Sequence, residues 1–194
     1  MRGGLAVLIA VAVLVQFRSG SLRPGFSAVN FFSFFTIQSN IALAGVLLAG
    51  ALGGRSVGGA GRDAARGAVT VYIATTGLVY AVLLSGLEEA LAMTLPWVNV
   101  VLHVLTPIAG LLDWWLEPPR ARLGAGRVAQ WLAYPLAYAV YSLARGARTG
   151  WYPYPFLDPG PAGDHARVAA TCLGIAVVVG LLGLAIRAIG NRRR

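Results

Sequence analysis

The stretch 31–52, "FFSFFTIQSNIALAGVLLAGAL", opens with aromatic and polar residues and continues as an almost unbroken apolar run. Its length is close to the roughly 20 residues that an α-helix needs to cross a bilayer. The polar side chains all stand in the first half of the stretch. The stretch therefore predicts a membrane-spanning helix with a cluster of hydrogen-bonding groups near one end.

The rest of the chain has the same apolar character. It is 57% hydrophobic and only 12% charged, whereas a soluble domain carries roughly 25% charged residues. So few charged residues cannot cover a water-facing surface, which favours an all-α polytopic membrane protein. We predict one domain, 1–194, that is a bundle of six transmembrane helices. The predicted spans are 3–19, 30–52, 66–87, 96–116, 127–143 and 165–189.

The first span has two interpretations. The segment "MRGGLAVLIAVAVLVQF" combines a positive start with a short apolar core, which also describes a signal peptide. No clear small-residue cleavage site follows it, and Arg18 stands where such a site would begin. We expect the segment to be retained as the first helix, and its removal would not reverse the other five spans.

Arginine placement predicts the orientation in the membrane. All sixteen basic residues are arginine, and eleven of them fall on the side of the N-terminus when six spans are drawn. The positive-inside rule then places both termini in the cytoplasm of a multi-pass cell-membrane protein. A net charge of +9 could also indicate nucleic-acid binding. Because the arginines lie in short loops, we favour a topological role and expect no nucleic-acid partner.

Two predicted helices carry polar groups at a similar depth. On a helical projection, Ser33, Thr36 and Asn40 share one face of the second span. Thr36 lies six residues into that span, about 9 Å from its outer end. His103 lies seven residues into the fourth span, about 10 Å from the same side, and Asn99 shares its face. A hydroxyl and an imidazole are therefore expected at matched depth.

The histidine turn contains Pro107, four residues after His103. Proline cannot donate the helical bond that the His103 carbonyl would accept, so a free carbonyl and a small kink are expected. An ionisable residue within a span is a functional candidate, although a histidine bonded to a neighbouring helix for packing alone fits equally well. Asp113 lies about 15 Å farther along and is expected to anchor the inner interface beside two tryptophans.

The segment before the last span, "RGARTGWYPYPFLDPGPAGD", is rich in aromatic residues and proline. The predicted topology places this segment on the outer side of the membrane, opposite the cytoplasm. Tryptophan and tyrosine collect at membrane interfaces, so a simple aromatic belt is one interpretation. A stiff cap in which Trp151, Tyr152 and Tyr154 cover an outward-facing pocket is the other.

Three motifs together resemble a known family. "SFFTIQSN", "VLHVLTPIAGLLDWW" and "GWYPYPFLDP" are similar in order and spacing to segments of the androgen-induced membrane hydrolases, and closest to their uncharacterised bacterial branch. The resemblance implies a six-span fold and intramembrane threonine hydrolases that cleave fatty acid esters of hydroxy fatty acids. It maps the threonine onto Thr36 and the histidine onto His103. The residues "IQSN" after Thr36 are more polar than we expect at the corresponding positions of the animal enzymes.

The resemblance implies a catalytic pair. Thr36 would be the nucleophile, and His103 would take its proton and return it to the leaving alcohol. Asn40 or Ser33 is the candidate donor to the oxyanion. The expected substrate-binding set is Ser33, Asn40, Asn99, Trp151, Tyr152 and Tyr154. We expect a membrane lipid or lipid ester as the partner, and neither a metal nor another cofactor.

The competing class is a non-enzymatic integral membrane protein, either a transporter or a lipid-binding or assembly subunit. In its favour, no acid is visible near His103 to orient the imidazole. Against a driven transporter, the mid-span acids that usually carry protons are missing. Labelling by a hydrolase-directed probe would separate the two classes.

The predicted topology can be tested with single cysteines at Ser56 and Gly160 in a Cys172→Ala background. We expect an impermeant maleimide to label Gly160→Cys in intact cells and Ser56→Cys only after lysis, because the arginine distribution places position 56 inside. Labelling of Ser56→Cys but not Gly160→Cys in intact cells would reverse the orientation.

Overall fold

A computed structural model describes residues 1–53, 59–87 and 95–192. These residues form helices and no strand, which confirms the all-α prediction. The helices are α1 Arg2–Ser21, α2 Ala28–Phe32, α3 Phe35–Leu52, α4 Ala60–Val79, α5 Pro96–Val100, α6 Thr106–Leu116, α7 Gly126–Thr149, α8 Pro159–Ala162 and α9 His165–Arg192. A π-helical turn, Tyr80–Leu84, extends α4, and a second one, Val101–Leu105, joins α5 to α6. Arg55, Ser56, Arg193 and Arg194 lie outside the described residues.

Five helical segments of the described chain are long and apolar enough to cross a membrane. They are Arg2–Ser21, Phe35–Leu52, Ala60–Leu84, Pro96–Leu116 and His165–Arg192. The predicted fifth span, 127–143, lies within α7, which is not among the five because it carries more polar residues. With 24 residues, α7 is nonetheless about 36 Å long.

Contacts at the two ends of α7 show how it runs through the bundle. Near its start, the Trp131 indole donates to the Ala64 carbonyl at 2.9 Å, beside the first turns of α4. Near its end, Arg145 donates to the Asn30 side-chain oxygen at 2.6 Å, beside α2. The helix therefore extends along the full length of its neighbours, from one end of the bundle to the other.

The second predicted span, 30–52, is not one continuous helix. Its first part is α2, and the chain then breaks at Ser33 and Phe34 before α3 starts at Phe35. Phe34 is extended, with φ −74° and ψ 128°. The Ser33 hydroxyl donates to the Val29 carbonyl at 2.7 Å, which offers the backbone an alternative to helical bonding. The break places Thr36 in the first turn of α3, where backbone N–H groups lack helical partners.

Ion pairs join three helices at one end of the bundle, which we call the charged end. The residues that form them are Arg2, Asp63, Arg66, Asp113 and Glu117. Asp113 on α6 contacts Arg2 of α1 at 2.5 Å and Arg66 of α4 at 3.0 Å. Asp63 accepts from the backbone N–H of Arg120 and of Ala121. The anchoring role expected of Asp113 thus has a structural basis, since it joins the ends of α1, α4 and α6.

The C-terminal helix reaches the charged end as well. The Trp114 indole donates to the Ile186 carbonyl at 2.9 Å, and Asn191 exchanges two hydrogen bonds with the backbone of Leu123. The first residues of α1 and the last residues of α9 therefore lie at this end. The opposite end carries the loop with Trp151, Tyr152 and Tyr154, and we call it the aromatic end.

One close approach between helices depends on a residue without a side chain. The Trp131 ring of α7 packs directly on Gly67 of α4, and a Cβ built on Gly67 would overlap that ring. Trp131 is buried in the cluster that joins α4, α7 and α9. Gly45 of α3 is also in a helix interior, but a Cβ there meets nothing within 4 Å.

We predict that Gly67→Ala lowers the free energy of unfolding by about 1–3 kcal/mol, because the added methyl group forces Trp131 to move. Gly45→Ala is the matched control and is expected to leave stability unchanged or slightly raised. Sodium dodecyl sulfate titration in mixed micelles measures both variants. Equal stability of the two would show that α4 and α7 are not in close contact.

Candidate active site

Thr36 and His103 meet inside the bundle. The Thr36 Oγ1 atom lies 3.2 Å from His103 Nε2. The two side chains are only 7% and 6% exposed. Thr36 stands in the first turn of α3, and His103 stands in the π turn between α5 and α6. The contact expected from their matched depth is therefore present, although it joins residues 67 positions apart.

Backbone and ring contacts orient the imidazole. His103 Nδ1 lies 3.2 Å from the carbonyl oxygen of Asn99, one turn earlier. The Tyr80 ring stacks on the imidazole with a centroid distance of 4.4 Å. A carbonyl accepts but cannot donate, so this contact favours the tautomer with hydrogen on Nδ1. Nε2 is then the acceptor that faces the Thr36 hydroxyl.

The Asn99 side chain supports the same arrangement. Its Nδ2 donates to the Tyr80 hydroxyl at 2.7 Å, which holds the ring that stacks on His103. Its Oδ1 is buried without a hydrogen-bond partner among the described residues. Asn99 also lines the cavity next to His103, as expected for a substrate-binding residue.

The π turn has an identifiable cause. The Thr106 N–H bonds the Val101 carbonyl five residues earlier, and Pro107 has no N–H to offer the next carbonyl. At the five-residue spacing of the π turn, the carbonyl that Pro107 cannot serve is that of Leu102, and not that of His103 as α-helical spacing predicts. Asn40 Nδ2 donates to the Leu102 carbonyl at 3.1 Å, and the Thr106 hydroxyl donates at 3.2 Å. A π turn thus replaces the small kink expected from sequence, as is common at functional sites.

Asn40 joins the two helices of the site. It is fully buried, and its Nδ2 donates to the carbonyls of Thr36 and Leu102 at 2.9 and 3.1 Å. Its Oδ1 accepts from the Thr106 hydroxyl at 2.7 Å. Both N–H groups of the amide are used, and Asn40 lines neither cavity described below. The expectation that Asn40 contacts substrate or oxyanion is therefore corrected, because its amide braces α3 against the π turn.

Ser33 does not lie beside the Thr36 hydroxyl, where it was expected to contact substrate or oxyanion. Its hydroxyl lies 2.8 Å from the Tyr141 hydroxyl and donates to the Val29 carbonyl. The break between α2 and α3 turns it away from the face that carries Thr36. Ser33 lines neither cavity, so its contacts are structural and join α2 to α7.

Tyr154 reaches Thr36 from the loop at the aromatic end. The backbone N–H of Thr36 points at the Tyr154 hydroxyl oxygen, with an N–O distance of 3.4 Å. Tyr154 is 5% exposed, and burial raises the pKa of its hydroxyl, which keeps the phenol protonated. Its ring packs against Phe34 and Phe156. Tyr154 was expected above the pocket, and it lies beside the threonine instead.

Two cavities meet at Thr36. One, of about 360 Å³, lies between α1, α2 and α5 and is lined by both partners of the pair, by Asn99 and by Trp151 and Tyr152. The other, of about 80 Å³, lies between α4, α7 and α9 and is lined almost wholly by apolar side chains. We call them the polar cavity and the apolar cavity. Among the described lining residues, Thr36 alone belongs to both.

The loop at the aromatic end forms part of the wall of the polar cavity. Gly150, with φ +68°, ends α7 in the left-handed conformation that glycine adopts readily. The chain then places the Tyr152 ring directly on Gly146 and the Trp151 ring 5.7 Å from Phe34. Trp151 and Tyr152 thus line the polar cavity, and their role as a cap stays a prediction.

The described residues contain no group of three or more histidine, cysteine or acidic side chains that could hold a metal ion. No protein-family model matches the chain, and neither a curated protein nor a solved structure is detectably similar to it. The chemistry of the site is therefore argued from its own residues.

Such a site can transfer a proton from a buried hydroxyl to a neutral imidazole. Two of its supporting groups were not identified from sequence: the ring of Tyr80 and the backbone carbonyl of Asn99. The four-residue spacing of Asn99 and His103 was a usable signal, because residues i and i+4 are neighbours on a helix. Tyr80 gave no signal, since it comes from a turn at the end of another helix.

We predict that Asn40→Leu lowers the free energy of unfolding by about 2–3 kcal/mol, because it removes three buried hydrogen bonds. Thr75→Val is the matched control, since Thr75 is equally buried and bonds only the Val71 carbonyl of its own helix. Thermal unfolding in detergent measures both. If the Asn40→Leu protein is as stable as the wild type but has lost ester turnover, Asn40 would instead be a hydrogen-bond donor to the oxyanion.

Proposed function

We propose that this protein is an intramembrane threonine hydrolase that cleaves lipidic carboxylic esters. The observation that carries the proposal is the 3.2 Å contact between Thr36 Oγ1 and His103 Nε2 at the junction of two cavities. A hydroxyl becomes a useful nucleophile when an adjacent base accepts its proton. The Asn99 carbonyl favours the tautomer for this task, and both side chains are largely buried at the edge of the polar cavity, through which water can reach them.

In the first half of the reaction, Thr36 Oγ1 attacks the ester carbonyl carbon while its proton moves to His103 Nε2. The tetrahedral intermediate then collapses, the alcohol leaves with that proton, and the acyl group stays on Thr36. In the second half, water attacks the acyl-threonine and gives a proton to Nε2. The bond between the acyl group and Thr36 Oγ1 then breaks, Oγ1 takes the proton back from Nε2, and the fatty acid is released.

The two cavities suit the two halves of such an ester. The apolar cavity, of about 80 Å³, would hold the part of the acyl chain next to the ester, and the polar cavity would hold the alcohol part. Leu136 lines the apolar cavity and is half exposed on α7, so a lipid chain could enter from the side of the bundle. Thr36 is the shared residue and would stand at the ester bond between them.

The developing oxyanion needs hydrogen-bond donors. Asn40 and Ser33 are committed elsewhere, which leaves the backbone N–H of Thr36 and the hydroxyl of Tyr154. The N–H stands in the first turn of α3, where the helix dipole favours negative charge. A protonated Tyr154 can donate to the substrate oxygen once that oxygen lies between the two groups.

The imidazolium formed during catalysis would face a carbonyl dipole and not a carboxylate. The Asn99 carbonyl fixes the tautomer as a carboxylate would, but carries only a partial charge. Turnover is therefore expected to be slower than in enzymes with a buried acid. The resemblance to the androgen-induced membrane hydrolases, which also assigns Thr36 and His103, supports the same pair.

We predict that Thr36→Ala and His103→Ala each reduce ester turnover by at least about 10²-fold, because general-base help is worth about 10²–10⁴-fold. Thr36→Ser should keep measurable turnover, since its oxygen remains. The assay is hydrolysis of a medium-chain nitrophenyl ester and of a branched lipid ester by purified protein in micelles.

Thr70→Val is the control for loss of a buried threonine hydroxyl, because Thr70 is 5% exposed, bonds the Arg66 carbonyl of its own helix and lines neither cavity. Thermal unfolding verifies that each variant is folded. Full activity of Thr36→Ala would refute the mechanism. Absence of turnover of either ester by the folded wild-type protein would favour the non-enzymatic class, in which the two cavities bind a lipid without cleaving it.

A further inference from the structure

The aromatic end holds positive charge that the described residues do not neutralise. The ion pairs of the described chain are at the charged end and involve Arg2 and Arg66. At the aromatic end, Arg23 lines the polar cavity, and Arg145 lies behind its wall. None of the described residues that line this cavity is acidic.

Arg145 is held in place but incompletely bonded. Its Nη2 donates to Asn30 Oδ1 at 2.6 Å, and its guanidinium carbon lies 4.7 Å from the centre of the Trp151 ring. Asn30 and Trp151 both line the polar cavity. Arg145 Nη1 is buried and has no hydrogen-bond partner among the described residues. A buried N–H of a cation without an acceptor is costly, which points to an acceptor that binds from outside the chain.

Asn30 extends this positive region to the cavity surface. Since Arg145 occupies its Oδ1, its Nδ2 remains as a donor. Arg23 adds a second guanidinium at the cavity rim, where it is exposed to solvent. Arg23 and the Asn30 amide at the cavity surface, with the Arg145 guanidinium behind them, offer donors to an oxyanion, and none of the described lining residues is an acid.

We propose that the polar cavity binds the phosphate of a glycerophospholipid with an anionic headgroup, and that such a lipid is the substrate. The proposal rests on the proposed function, because it assigns the phosphate to the alcohol side of the scissile ester. The acyl chain lies in the apolar cavity, the ester at Thr36, and the phosphate near Arg23, Asn30 and Arg145.

The spacing fits this assignment. Arg145 stands one turn beyond Tyr141, whose hydroxyl contacts Ser33, and Asn30 stands six residues before Thr36. Six residues of helix correspond to about 9 Å. One glycerol unit separates the ester from the phosphate in a glycerophospholipid. An amine-bearing headgroup gains nothing here, since none of the described lining residues offers a carboxylate to it.

The experiment measures lipid retention and does not require turnover. Purified wild-type and Thr36→Ala proteins are incubated in neutral-detergent micelles with equal amounts of phosphatidylglycerol, phosphatidylcholine, diacylglycerol and diacylglycerol hemisuccinate, all with the same acyl chains. Native mass spectrometry then counts the lipid bound to each protein. We expect phosphatidylglycerol to be retained at least about tenfold over diacylglycerol, as charge-assisted hydrogen bonds imply.

Arginine variants test the site itself. Arg145→Gln and Arg23→Gln should each reduce this preference severalfold, and the double variant should abolish it. Arg148→Gln, one turn further on α7 and exposed, is the matched control and should retain it. Because Arg23 is exposed, its variant remains informative even if Arg145→Gln does not fold.

Several outcomes would overturn the proposal. Equal retention of phosphatidylglycerol and diacylglycerol, or a preference that survives the double variant, would remove the anion site. Retention of the hemisuccinate as strongly as phosphatidylglycerol would assign the site to carboxylates. Displacement of the lipid by millimolar inorganic phosphate alone would make free phosphate the ligand. If Thr36→Ala and wild type retain phosphatidylglycerol but wild type cleaves no ester, the anion site stands and the proposed hydrolase function fails.

Discussion

Pro107 lacks a backbone N–H, and the geometry of the candidate site depends on that absence. It leaves the Leu102 carbonyl without a helical partner, because the Thr106 N–H already bonds Val101. In an apolar environment such a carbonyl must find another donor. Asn40 and Thr106 supply it from two helices. The same hydrogen bonds hold α3 against the π turn and bring Thr36 to His103.

The pair has the chemistry of a shielded acid–base site, with a tautomer set by a backbone carbonyl and a ring held by Tyr80. Its position between a polar and an apolar cavity would let one molecule present an ester bond at the threonine oxygen. The charged end, by contrast, carries ion pairs that join α1, α4 and α6. Structural and proposed catalytic tasks are thus separated along the bundle.

Sequence patterns predicted the helical membrane class and the meeting of Thr36 with His103. Long apolar runs determine the first. For the second, depth counting and the resemblance at Thr36 and His103 indicated the same pair, although the helix that carries Thr36 starts only at Phe35. The break at Ser33 and Phe34 was missed because four phenylalanines keep the apolar pattern continuous across it. The role of Asn40 was missed because a projection shows which face a side chain occupies, but not which carbonyl of another helix needs a donor.

The central claim is that Thr36 is a nucleophile activated by His103. It is tested most directly by treating the purified protein with a fluorophosphonate probe and mapping the adduct by peptide mass spectrometry. The account predicts one adduct on Thr36, lost in Thr36→Ala and strongly reduced in His103→Ala, while folded Thr70→Val is labelled normally. An adduct on another residue, or labelling that persists without His103, would contradict it.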